Sequence, residues 1–302
     1  MLDWRVDTFL DVCETLNYTH TAKRLNITQP AVSQHIAWIE NQLGTTLFVR
    51  TGRSLRLNEA GRLAKEVLQT QKHDEMLLRQ EIAALKTSAF TLSIGATLTA
   101  GEHLLAHPLA LWCKDRPQVK ASVSIADTAK LLSLLDKGEI DCALVEGIFD
   151  SNKYAWQRWS RERMACVKGP TNLSAQNTLP KRKTLSFREI LKETLIIREE
   201  ESGSRAVLEA ALARHNLAPE SFERVVEAKS LRVALEMTAV GLGITFAYEP
   251  AVKEDLAQGK LIELPLDEEG LDHDICFVWQ RTSTFAKRYL QLFHELRSYC
   301  RE

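Results

Sequence analysis

No unbroken apolar run in these 302 residues is long enough to span a bilayer. The opening Met1-Leu2-Asp3-Trp4-Arg5 has no basic segment followed by an apolar one, as a signal peptide would. The expectation is a cytoplasmic protein with no membrane partner. Charge of one sign is also missing, since 39 Lys plus Arg balance 40 Asp plus Glu for a net charge of -1. Any footprint for a charged partner must therefore be local. Catalytic signatures are lacking as well: there is no GxSxG elbow, HExxH pair, phosphate-binding loop or GxGxxG after a strand. Six cysteines (Cys13, Cys113, Cys142, Cys166, Cys276, Cys300) show no CxxC or other metal-ligand spacing, and most of them read as small buried hydrophobes. Histidines 20, 35, 73, 103, 107, 215, 273 and 294 are dispersed and read as surface or capping residues. No metal, no cofactor and no enzyme activity are expected, and the length allows more than one domain.

What is present begins with helices. Val6, Phe9, Leu10, Cys13 and Leu16 recur at the spacing that lines one helix face. Asn17 offers an N-cap for a short helix carrying Ala22 and Leu25. Thr28 caps the next, with Pro30 in its first turn, where a missing N–H costs nothing. That helix is expected to bury Val32, Ile36, Ile39 and Leu43, leaving Gln29, Ser33, Gln34 and Asn41 to point outward. Two helices abutting through a tight turn form a helix-turn-helix, and polar, uncharged side chains on the second suit base reading. From Tyr18 to Asn58 the single acid is Glu40, against Lys23, Arg24, Arg50, Arg53 and Arg56. Arg50-Thr51-Gly52-Arg53 lies between two short apolar runs and reads as a hairpin tip able to grip phosphate. Double-stranded DNA is the implied partner, an ordinary solvated helical hairpin the alternative.

The run from Phe9 to Gly61, above all "NYTHTAKRLNITQPAVSQHIAWIENQLGTTLFVRTGRSLRLNEAG", resembles the winged helix-turn-helix of LysR-type transcriptional regulators. It departs at Thr21, where alanine is common, and at Asn58, where threonine is usual. The resemblance implies DNA contacts from Thr28, Gln29, Pro30, Ser33, Gln34, Arg50 and Arg53.

A long helix from about Glu59 to Leu85 follows, with an apolar stripe (Leu63, Val67, Leu77, Ile82 and others) interrupted by Gln69-Thr70-Gln71-Lys72-His73-Asp74. The resemblance implies a homodimer through this linker helix, with a tetramer and contact with RNA polymerase open. Packing of the helix on the chain's own second half is the alternative.

From Phe90 the rhythm changes. Strand-like runs at Phe90 to Gly95, Val119 to Ile125, Ile140 to Val145, Thr194 to Ile197, Phe222 to Ala228 and Gly241 to Phe246 alternate with helical stretches. Such alternation implies parallel sheet with crossovers, in two α/β lobes. "GEIDCALVEG", "LIIREEESGSR" and "VGLGITFAYEPAV", the last containing Thr245, resemble the effector-binding half of the same family, whose lobes are periplasmic-binding-protein-like. The expected division is a winged helix-turn-helix over 1–58, a linker helix over 59–88 and an effector domain over 89–302. Within it, lobe I takes about 89–165 and 267–302, and lobe II about 166–266.

Between the lobes, Thr97 and Thr99 follow one strand while Ser202, Gly203 and Ser204 follow another, with Arg205, or else Arg198, to supply a compensating charge for an anion. Hydroxyls and free N–H groups at helix starts favour anions, which makes an anionic metabolite one option for the effector; simple capping is the bland reading. Asp127-Thr128 stands where related proteins often have Gly-Asn-Thr, and an aspartate there repels an anion or accepts from a hydroxyl or amine. A ligand-modulated regulator is the leading reading, a constitutive or architectural DNA binder the runner-up.

Overall fold

The computed structural model describes residues 2–52, 54–87, 91–146, 149–170, 184–267 and 270–300, apart from the side chains of residues 84, 86 and 87. Three helices open the chain: α1 (Arg5–Thr15), α2 (Tyr18–Arg24) and α3 (Gln29–Leu43). Asn17 Oδ1 accepts from the N–H groups of Thr19 and His20, and Thr28 Oγ1 accepts from that of Ala31. Both expected caps thus satisfy otherwise orphaned donors. Val6, Phe9, Val12, Val32, Ile36, Ile39 and Leu47 form one small core. Leu43, expected in that core, is instead half exposed at the helix end, where Gly44 turns the chain left-handed.

The hairpin β1 (Phe48–Thr51) and β2 (Ser54–Leu57) pairs antiparallel, with Gly52 at φ +64° in the turn. Glu40, the lone acid of the segment, turns inward: its Oε1 accepts the N–H of Leu47 at 2.7 Å and fixes the hairpin's base against α3. Asn58 caps the long helix α4 (Glu59–Thr87) through Gly61 N–H and also donates to the carbonyl of Thr46. A Cβ at Gly61 would lie 2.1 Å from the Leu47 carbonyl oxygen, so only glycine lets helix and hairpin approach this closely.

The polar interruption of α4 is where it docks on its own chain. Asp74 accepts from Ser283 Oγ and from both N–H and Oγ1 of Thr284, at 2.7 to 2.8 Å. His73 meets the carbonyl of Gly138 at 3.0 Å and Asp141 at 3.3 Å, while Leu77 enters a neighbouring core. Two histidines read as surface or capping residues, His35 and His73, are instead buried, and Thr8 Oγ1 lies 3.0 Å from His35 Nδ1. Leu63, Leu78, Ile82 and Leu85 of the same helix stay exposed.

The remaining chain builds one nine-stranded sheet. β3 (Thr91–Ala96) leads through a π-helical turn and α5 (Ala106–Lys114) to β4 (Lys120–Ile125), then through α6 (Thr128–Asp136) to β5 (Cys142–Val145). After β6 (Tyr154–Lys168) and α7 (Phe187–Ile190) the pattern repeats: β7 (Thr194–Ile197), α8 (Gly203–Arg214), β8 (Arg224–Glu227), α9 (Leu231–Ala239) and β9 (Ile244–Tyr248). The chain closes with α10 (Glu249–Ala257), β10 (Ile262–Leu264), β11 (Asp272–Gln280) and α11 (Ala286–Ser298). Strand order is β4-β3-β5-β11-β6-β9-β7-β8, with β10 beside β6. The outer trios are parallel, as the alternation implies, but β11 and β6 join them antiparallel, so the sheet is mixed. β6 pairs with β11 along Tyr154 to Arg163 and with β9 from Met164 to Lys168, so one strand serves both halves.

Candidate functional site

On α3, the face opposite the core carries Gln29, Pro30, Ser33 and Gln34, all exposed. The helix cannot roll to hide them. Its other side is held by Val32, Ile36 and Ile39, by the Thr8–His35 contact, and by the edge-on packing of Trp4 against His35 at 4.4 Å between ring centroids. Arg5 adds a cation–π contact with Trp38 at 4.6 Å. Arg50 on β1 and Arg56 on β2 are exposed on the adjacent hairpin. Arg53 lies outside the described residues.

The second assembly follows from strand order. In each parallel trio the first strand sits in the middle, so the chain leaves it toward one neighbour and returns across it to reach the other. Ligand crevices open at the carboxyl ends of strands where the order reverses in this way. At the first reversal stand Thr97, just past β3, and Glu146, just past β5; at the second stand Arg198, past β7, and Tyr248, the last residue of β9. The start of α8 closes onto the first: a Cβ on Gly203 would come within 2.7 Å of Glu146 Cγ.

The polar side chains singled out in the sequence meet different fates here. Asp127 caps α6 by accepting from Lys130 N–H, Thr128 Oγ1 donates to the Glu146 carbonyl, and Thr245 Oγ1 donates to that of Ile196. Arg205, considered as a countercharge for an anion, is held by Glu209 and Glu227 and donates to the Arg198 carbonyl. Ser202 and Ser204 meet each other at 2.9 Å, and Ser202 makes no side-chain cap bond although it occupies the N-cap of α8. Thr99 is buried and makes no side-chain cap bond to the turn it precedes.

Sequence reasoning passed over the two most unusual groups. Glu146 is 4% exposed, its Oε2 has no hydrogen-bond partner among the described residues, and burial pushes its carboxyl up to about 7 against the opposing pull of Arg198. Tyr248 is enclosed as well, its hydroxyl has no partner among the described residues, and burial together with the nearby Glu146 charge raises its phenol. The available signal was an acid or phenol ending an otherwise apolar strand, in "CALVE" and "ITFAY". Thr97 Oγ1 is the third unpartnered atom at this crevice. A separate cavity of about 390 Å³ lies between α3 and α4, lined by residues that include Leu43, Leu63 and Val67.

Residues 5–62 match the family described as bacterial regulatory helix-turn-helix protein, lysR family, and residues 87–301 match the LysR substrate binding domain. The chain is 26% identical to the HTH-type transcriptional regulator CysL of Bacillus subtilis, over 90% of this chain and 88% of that protein. It is 27% identical to the regulator CbbR of Rhodospirillum rubrum, over 86% and 83%. Its fold is similar to that of full-length LysG from Corynebacterium glutamicum with bound effector Arg (TM-score 0.67, 19% identity, 99% and 98% covered). ArgP from Mycobacterium tuberculosis is comparably similar (TM-score 0.67, 18% identity, 99% and 97% covered).

Proposed function

The chain belongs to the LysR family of helix-turn-helix transcriptional regulators, and from that premise we propose how its parts divide the work. Residues 1–58 read DNA, 59–88 carry the linker, and 89–302 hold the effector between two lobes. Gln29, Ser33 and Gln34 face the major groove, where Gln pairs with adenine edges and Ser adapts to several bases. Thr28 and Pro30 set the start of that helix, and Arg50 and Arg53 grip phosphate. Carrying this reading is the exposure of an uncharged polar face on a helix whose other side is locked into the core, beside a basic hairpin.

A salt-matched gel-shift comparison of cognate and random DNA tests it. Gln34→Ala is expected to lower preference for the cognate site by about 1–3 kcal/mol with little change in nonspecific affinity. Arg50→Ala is expected to weaken binding to both and to reduce the salt slope by about 1. Equal loss on both DNAs in Gln34→Ala would make it a backbone contact.

Members of this family bind DNA as oligomers, and here the second copy is assigned to the exposed apolar side of α4. Leu63 is 64% exposed and borders the apolar groove with Leu43 and Val67, the kind of surface a partner helix covers. A charge at the seam, Leu63→Asp, is expected to dissociate the dimer at modest concentration by sedimentation. An unchanged oligomer would move the interface to the effector lobes, which also supply the contacts for any tetramer. A small molecule in the crevice between the two lobes modulates this assembly, and Thr97, Thr99, Ser202 and Ser204 border its site. Only a ligand with different affinity for two lobe arrangements can change how the DNA-reading heads are spaced.

A further inference from the structure

Three oxygens at the crevice have no hydrogen-bond partner among the described residues: Thr97 Oγ1, Glu146 Oε2 and Tyr248 OH. Their residues are 3%, 4% and 1% exposed, so bulk water does not serve them. Buried polar atoms are ordinarily paired, and three exceptions gathered at two strand-order reversals mark a place completed by something else. The chemistry of that complement follows from what it must offer. As a carboxylate Glu146 only accepts, and as the neutral acid that burial favours it also donates, while the two hydroxyls either donate or accept.

Charge narrows the choice further. Two cations near the crevice, among the described residues, are already engaged: Arg198 makes two bonds to Glu199, at 2.9 and 2.7 Å, and Arg205 bonds Glu209 at 2.7 Å and Glu227 at 3.1 Å. An incoming oxyanion would therefore meet an acid without gaining either arginine as a free cation. Glu146 by contrast has an oxygen with no hydrogen-bond partner among the described residues, although the charge of Arg198 acts on it. We propose that the crevice selects a small molecule bearing a protonated amine, with Glu146 as its counter-ion and Thr97 and Tyr248 as neutral hydrogen-bonding partners of the same ligand. This rests on the reading of the crevice as the effector site. The amine supplies the donor that Glu146 lacks and holds it as the carboxylate, since a nearby positive charge favours the ionised form. Gly203 completes the arrangement by letting α8 approach Glu146 without a side chain in the way.

The test uses the full chain with six probes: L-lysine, L-arginine and putrescine as ammonium compounds, and sulfate, phosphate and succinate as oxyanions. Thermal unfolding and calorimetry are run on the native sequence and on Glu146→Gln, Thr97→Val and Tyr248→Phe, each first shown to unfold cooperatively without ligand. At least one ammonium probe is expected to raise the melting temperature by mass action. Its affinity should fall roughly 10- to 100-fold in Glu146→Gln, the loss of a bond to a charged group, and less in the other two variants. Binding of oxyanions alone, weakened by Thr97→Val but kept or improved in Glu146→Gln, would leave the crevice as the site and overturn the amine. Binding indifferent to all three substitutions would overturn both readings. Silence from all three ammonium probes also overturns the proposal.

Discussion

The outer face of α3 and the crevice between the two parallel trios are both made of polar side chains, yet their energetic positions are opposite. Gln29, Ser33 and Gln34 stand in solvent, where water satisfies them until a partner displaces it. Glu146, Thr97 and Tyr248 are shut away from water with atoms unmatched. An exposed polar group costs the fold almost nothing, whereas a buried unsatisfied one is a standing destabilisation. On the proposed roles, DNA at the α3 face would add binding to an already complete structure, while a ligand in the crevice would finish an incomplete one. Stability measurements can tell the two apart before any ligand is known.

The largest expected effect concerns Glu146. A carboxyl whose folded pKa is raised from 4.5 to about 7 contributes most below pH 4.5, and that contribution is lost as pH rises through 7. At 1.36 kcal/mol per unit, the loss is on the order of 3 kcal/mol by pH 8. Glu146→Gln is expected to remove this segment of the stability-against-pH curve, leaving Arg198, with its Glu199 partner, and Tyr248 in place around the amide. Parallel curves for variant and native chain between pH 4.5 and 8, by chemical denaturation, would place Glu146 with the solvated groups. Next comes Gly203→Ala, whose methyl would press on Glu146 Cγ at the mouth of α8. It should cost about 1–3 kcal/mol, as overpacking does, read from the shift in denaturation midpoint. The smallest effect belongs to the other region. Ser33→Ala is expected to leave stability within about 0.5 kcal/mol of the native chain, and a larger change would mean that α3's outer face takes part in the fold.

How much of this was legible beforehand differs by region for the same physical reason. The helix-turn-helix is local: caps at Asn17 and Thr28, a proline in the first turn and a three-and-four apolar spacing all sit within a few residues. The parallel trios were visible as apolar strand runs between helices, and "TLII" marks β7 without error. β6 and β11 were not, although they join the trios. The run "WQRWSRERM" in β6 is crowded with charge because part of the strand lies at the surface, with Arg158 and Arg161 near Asp274 and Asp272 of β11. Such cross-strand pairs hide the alternation that signals a strand. The polar interruption of α4 left docking on the chain's own second half open as an alternative, but the partners were not legible, since Thr70, His73 and Asp74 find them more than sixty residues away. Glu146 escaped notice because an acid after an apolar run looks like the start of a loop; only the three-dimensional reversal of strand order encloses it.

β5 is four residues long, and both of its flanking acids are engaged in something larger. Asp141, before it, accepts from Ser93 N–H and meets His73 of α4; Glu146, after it, ends in the crevice. At roughly 3.3 Å per residue the two lie about 17 Å apart along an extended backbone that is hydrogen-bonded to β3 on one side and β11 on the other. A strand clamped on both edges neither stretches nor buckles. It is a strut with one foot at the crevice and the other against the helix that follows the winged helix-turn-helix, so the distance between those two places is set by a fixed length of chain.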